Sequence, residues 1–194
     1  MRNRNLVAWL CVMLLCLTGC SSFGGGNVFE EFRLDGDAPI SQRETLDSYA
    51  ERVLPVIDDF QRSVSAAGAG ELRVGEREVP RFPATMCGDD GYLIRARAAL
   101  GELVPLETLI SLGNERFLPL GFSGPRVTER ENGKTDLYWF DKENGGAVSV
   151  IHAPGSHIGI GSESGCRILN ADVNDFRAEL AANYPYEPGF TRPN

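Results

Sequence analysis

Leu46, Tyr49, Val53, Ile57, Phe60 and Val64 recur at steps of three and four, a spacing that lines them along one stripe of a helix. Ser41-Gln42-Arg43-Glu44 has the S-x-x-E form of a capping box ahead of that stripe, and Gly68 and Gly70 close it. Pro55 lies inside the run; without an N–H, and with a ring that crowds the preceding turn, it predicts a kink or a split. Leu72 to Val79 reads as a strand with a charged face. Tyr92, Ile94 and Ala96 alternate with Leu93, Arg95 and Arg97, the period of a half-buried strand. Leu106, Leu109, Ile110 and Phe117 share one side of a second helix over 105–117, with Pro105 in its first turn.

Beyond residue 120 the pattern changes to short alternating runs. Asn132-Gly133 and Asn144-Gly145 are hairpin signals of the type I′ kind, and Ala153-Pro154-Gly155-Ser156 is a third turn. They separate strands near 126–131, 135–141, 147–152 and 157–162, an antiparallel meander of about four strands. Asp172 to Ala182 follows as a short helix before a proline-containing tail. The class is α+β: helices on one face of an antiparallel sheet, with the long N-terminal helix and the mid-chain helix as the packing layer.

Counting outward from the centres of the turns puts Tyr138 opposite Ile151, Trp139 opposite Val150, Ile151 opposite Ile158 and His152 opposite His157. Residues directly opposite share a face. One face then holds Val127, Tyr138, Phe140, Ile151, Ile158 and Ile160, a core set. The other holds Leu137, Trp139, Val148, Val150, Gly159 and Gly161, with both histidines at its turn end. Glycines beside Trp139 and Val150 leave room for an indole or a ligand over bare backbone, so Leu137, Trp139, Val150, His152 and His157 form the candidate binding surface. A slip of one residue would exchange the faces.

The N-terminus carries a different message. Arg2 and Arg4 precede an uncharged run from Leu6 to Leu17, whose twelve residues are too short for a bilayer span of about 20 but suit a secretory signal. The run ends in Leu17-Thr18-Gly19-Cys20, followed by two serines and, after Phe23, three glycines. Loss of residues 1–19 leaves 175 residues, enough for one domain with a core, with 17 Lys and Arg against 27 Asp and Glu, a net charge of −10. So acidic a chain argues against nucleic acid and against an electrostatic grip on anionic lipid. Residues 20–40 read as a flexible tether, 41–182 as the single domain and 183–194 as a tail.

Cys11 and Cys16 fall within the signal, which leaves Cys87 and Cys166 once Cys20 is set aside. In an exported chain their pairing as a disulfide is favoured; closing a loop of 79 residues would stabilise by about 4 kcal/mol. The alternatives are two free thiols, or a catalytic cysteine with His152 or His157 as base. Two histidines alone make no metal site, and no H-E-x-x-H or Cys/His cluster accompanies them. Gly159-Ile160-Gly161-Ser162-Glu163-Ser164-Gly165 is neither a nucleophile elbow nor a phosphate loop. No metal and no cofactor is therefore expected.

Leu17-Thr18-Gly19-Cys20 resembles the bacterial lipobox. With Cys87 and Cys166, the meander and Ser164-Gly165-Cys166-Arg167-Ile168, the chain resembles small actinobacterial lipoproteins of unknown function. The resemblance implies cleavage before Cys20, a diacylglyceryl and palmitoyl anchor on that residue, and residence on the extracytoplasmic face of the cell membrane. It carries over no catalytic residue. The expected role is a lipid-anchored binding or interaction module without chemistry of its own, partnered by the membrane and by a protein or small ligand. The alternative is an envelope hydrolase with a site around His152 and His157.

Overall fold

A computed structural model describes residues 35–74 and 80–185. The expected signal, lipobox with Cys20, tether up to residue 34, second half of the 72–79 strand and end of the tail lie outside the described residues. The first apolar stripe forms two helices, α1 (Leu46–Arg52) and α2 (Leu54–Val64), divided at Val53, two residues before Pro55, which sits in the first turn of α2. There the missing N–H costs nothing. The cap is Thr45, whose hydroxyl accepts from Ser48 N–H, and not Ser41, because Ile40–Gln42 make a separate 3₁₀ turn. Glu44 is unavailable for a capping box: its N–H donates to Asn144 Oδ1 and its carboxylate is taken by Arg52 and Arg167.

Strands β1 (Arg73–Val74), β2 (Ala84–Cys87) and β3 (Gly91–Gly101) follow, then α3 (Leu106–Phe117). The meander is β4 (Ser123–Glu129), β5 (Thr135–Phe140), β6 (Ala147–Ala153) and β7 (His157–Glu163), and α4 (Val173–Asn183) closes the described chain. The sheet runs β1-β3-β7-β6-β5-β4, with β2 paired to the first residues of β3 and every pairing antiparallel. The fold is the expected α+β class with a Cys87–Cys166 disulfide, Cα atoms 5.8 Å apart. β2 was not legible as a strand; among the described residues it pairs only with β3, and its Thr85 and Met86 are exposed. Among the described residues no helix is long and apolar enough to cross a membrane.

The register corrects the faces. Phe140 pairs with Ala147, so the β5–β6 loop spans Asp141 to Gly146 rather than two residues. No described non-glycine residue has positive φ, so neither Asn132 nor Asn144 sits in a type I′ turn; Gly145 and Gly146 supply φ of 81° and 101° instead. That longer loop shifts Trp139 to Val148, an even displacement that keeps the faces. The β6–β7 turn is odd in the other sense: Ala153 pairs with His157, so three residues connect the strands, and Ile151 meets Gly159. One residue of difference moves Ile158 and Ile160 to the side of Leu137, Trp139, Val148 and Val150. These six, all fully buried, are the core face, and α1, α2 and α3 pack on it. Val127 also slips by one, pairing with Leu137 rather than Tyr138, but at the sheet edge it stays half exposed.

A glycine does make room for the Trp139 indole, but it is Gly113 of α3. A Cβ there would lie 2.2 Å from Trp139 Cζ2. The ring is held by Phe60 and Phe117 at centroid distances of 6.0 and 5.5 Å, and its Nε1–H donates to Asn114 Oδ1 at 3.0 Å. Gly113→Ala gains up to about 1 kcal/mol of helix propensity but meets an overpacking cost of about 1–3 kcal/mol. The fixed indole decides the sign: thermal denaturation should show a net loss, and a rise in Tm would mean the indole can move aside.

Candidate functional site

The proposed surface residues separate in space. Leu137, Trp139 and Val150 have no exposed area, so the notion of a ligand face around Trp139 does not survive; the one-residue change at the β6–β7 turn is the cause. His152 pairs with Ile158 and lies at the end of the core face, whereas His157 pairs with Ala153 and projects from the other side. Both are half-buried, and a joint site around the two does not form. His157 Nδ1 lies 2.7 Å from Ser156 Oγ, its neighbour in the exposed turn. No group of three metal-ligating side chains occurs among the described residues. On the outer face Tyr138 stacks on Phe140 at 5.6 Å, Ser149 lies opposite Gly161, and Ile151 lies opposite Gly159.

The strongest polar constellation lies elsewhere, in the Ser164–Ile168 motif. Arg167 is fully buried. Its backbone exchanges two hydrogen bonds with Tyr92, at 2.8 and 2.9 Å, which pins its Cα beside β3. Its Nη2 donates to Asp141 Oδ2 at 3.0 Å and to the Gly145 carbonyl at 3.1 Å; its Nη1 donates to Glu44 Oε2 at 3.1 Å, and its Nε to the Ser164 carbonyl at 2.7 Å. The guanidinium lies over the Tyr49 ring, 4.6 Å from its centroid. Desolvation pushes the Tyr49 hydroxyl well above the ordinary tyrosine range, so it stays neutral. Asn144 completes the set: its amide donates to both Asp141 oxygens, and its carbonyl receives Glu44 N–H.

One cation thus joins the approach to α1, the β5–β6 loop and the segment after β7, where Arg167 makes an isolated bridge to Tyr92. Close backbone contact is required: a Cβ on Gly146 would lie 2.4 Å from the Glu163 carbonyl. Arg43 extends the knot outward, donating to the carbonyls of Ala38, Gly36 and Cys166. Residues 36–38, read from sequence as tether, are therefore bonded to the domain; Asp37 and Ala38 N–H groups donate to Lys142 and Glu143 carbonyls. Sequence reasoning singled out the S-G-C-R-I motif without seeing that its arginine is buried, since arginine is ordinarily a surface residue.

Among the described residues three further surfaces are concave, one of them lined by Asp58, Gln61, Arg62, Glu71 and Arg81. Asp47, Glu51 and Glu179 rim a cleft floored by Ala50, Phe176 and Leu180, between α1 and α4. A third cleft opens at the β4–β5 edge, lined by Ser123, Gly124, Pro125, Arg126, Phe140 and Lys142.

No protein-family model and no curated protein matches the chain. Among solved structures it is similar to a DUF4853 family protein from Actinomyces odontolyticus, with a TM-score of 0.54 and 25% identity over 71% of this chain and 77% of that one. It also aligns with LppA of Mycobacterium tuberculosis, a candidate lipoprotein, with a TM-score of 0.49 and 15% identity over 77% of this chain and 87% of that one. The α+β architecture is thus shared with a solved actinobacterial protein at the level of fold.

Proposed function

We propose that this protein is a lipid-anchored component of the cell envelope, attached through Cys20, whose folded domain serves as an interaction module on the extracytoplasmic side. The observation that carries this reading is Leu17-Thr18-Gly19-Cys20 directly behind a short uncharged run and two arginines. Only a thiol can form the thioether, and small residues at 18 and 19 let the chain lie close in a peptidase groove. The domain supports it in a second way. A disulfide between Cys87 and Cys166 suits an oxidising compartment. The charged side chains that the fold concentrates, Arg167, Glu44 and Asp141, are spent on one another as cross-links.

The anchor is tested by metabolic labelling with a fatty-acid analogue, followed by membrane fractionation. Wild-type protein should carry the label and sediment with membranes, and Cys20→Ala should lose the label. Label retained by Cys20→Ala would sink the reading. Protease added to intact cells should remove the wild-type domain, since that places it outside the membrane.

A further inference from the structure

The disulfide sits where the chain enters the domain. No residue from 35 to 45 is fully buried, and the hold on this stretch is mainly polar. Asp37 and Ala38 N–H groups donate to the Lys142 and Glu143 carbonyls. Arg43 donates back to Gly36 and Ala38 and across to the Cys166 carbonyl, the last at 3.0 Å. Ile40 is half-buried beside the same bridge. A Cβ on Gly91 would lie 2.5 Å from Cys166 Sγ and 3.1 Å from Ile40 Cδ1, so the bare glycine leaves the space that bridge and isoleucine share. Segments held by few buried apolar contacts open at the lowest free energy.

The bridge can open without taking the domain with it. Neither cysteine belongs to the hydrophobic core. Both are half-buried, and Thr85, Met86, Gly88, Asp89 and Asp90 around Cys87 are exposed, which leaves the sulfurs a short path from solvent. Once the bridge is open, β2 keeps its ladder to β3. The 164–168 segment keeps the Arg167 backbone pair with Tyr92 and the bonds of the buried guanidinium. What opening removes is the covalent restraint behind the Cys166 carbonyl and beneath Ile40, the two contacts that reach the entry stretch.

We propose that the Cys87–Cys166 bridge is a redox latch on the chain entry: a dithiol reductant opens it, and the opened form releases residues 36–43 from the domain. A thiolate of the reductant attacks one sulfur, the S–S bond breaks, and the second thiol resolves the mixed disulfide. Two protein thiols form and the reductant leaves as a disulfide, so two electrons and two protons pass to the protein. Release stops at Glu44, which Asn144 and Arg167 hold. The consequence for reach rests on the anchoring reading above. Fifteen residue steps separate Cys20 from Asp35, at most about 50 Å; release as far as Glu44 adds nine steps, about 30 Å. The redox state of the envelope then sets how far from its anchor the domain can work.

The test is amide hydrogen exchange on the lipidated full chain in neutral detergent micelles, with the bridge intact and after dithiothreitol. The amides of Asp37, Ala38, Gln42 and Arg43 should exchange about three- to ten-fold faster once the bridge is reduced, the fold-change of roughly one hydrogen bond. Emission from Trp139, buried against Phe60 and Phe117, should not shift, which shows the core to be intact. The chain with Cys87→Ser and Cys166→Ser should match the reduced protein and ignore dithiothreitol. Arg43→Gln should free the same amides with the bridge intact, and its failure to do so would remove the route from bridge to entry. Unchanged exchange at 37–43 after reduction would overturn the latch. A red shift of Trp139 would make the bridge a staple of the whole domain, and a bridge that dithiothreitol leaves closed would end its role as a switch. A chain that carries no fatty acid would sink the anchoring reading and the gain in reach, while the exchange result still decides the latch.

Discussion

Arg167→Met should destabilise the domain by about 3–5 kcal/mol, the usual consequence of removing one partner from a buried ion pair. The side chain has no exposed area, and the carboxylates it holds are themselves largely covered, at 9% for Asp141 and 17% for Glu44. Methionine fills much of the space but takes the guanidinium from both carboxylates, leaving Glu44 to Arg52 and Asp141 to the neutral Asn144, and removes the Arg167 donors from the carbonyls of Ser164 and Gly145. The comparison that gives the number meaning is Arg62→Ala. Arg62 also pairs with a carboxylate, that of Asp58, but its side chain is 66% exposed, and such pairs contribute about 0–1 kcal/mol. Urea denaturation of the two variants should separate them clearly. If Arg167→Met loses less than Arg62→Ala, the cluster is not the cross-link described here. Adding Asp141→Asn to Arg167→Met should recover part of the loss, because one uncompensated charge is then removed.

Replacing both Cys87 and Cys166 by serine should cost about 4 kcal/mol on the chain-entropy estimate, within the 2–5 kcal/mol typical of a native bridge. The loss should concentrate locally. Among the described residues β2 has no strand partner but β3, and the disulfide ties it to the segment that carries Arg167. Hydrogen exchange should therefore accelerate first in 84–94 and 164–168, with α2 and α3 following only on global unfolding. Because Cys166 immediately precedes Arg167, the two perturbations share a segment. Their combination should fall short of additivity by more than about 0.5 kcal/mol. Strict additivity would show that the bridge does not help to position the buried arginine.

Much of the architecture was legible because it depends on local rules. The stripe from Leu46 to Val64 and its division at Pro55 follow from side-chain period and a missing N–H. The four meander strands stand close to their expected bounds for the same reason. The faces were not legible. Whether Ile160 points with Trp139 or away from it turns on three residues between β6 and β7 instead of four, a parity that Ala153-Pro154-Gly155-Ser156 does not reveal. With the other parity, the hydrophobic core face reads as a binding surface.

The site showed the same division. The sequence by itself determined an acidic chain and a short uncharged run ending in Leu17-Thr18-Gly19-Cys20, the pattern on which the proposed export and anchor rest. Each depends on residue type and nearest neighbours alone. Only the tertiary structure decided that Arg167 is interior, because its partners lie 26 and 123 residues away and no local pattern announces them. It also decided that Gly113, not a strand glycine, makes room for Trp139, and that Arg126 and Lys142 share a cleft beside the entry of the chain. Register parity, long-range charge pairing and convergence of distant side chains are properties of the packed chain; they exist only once the elements have met.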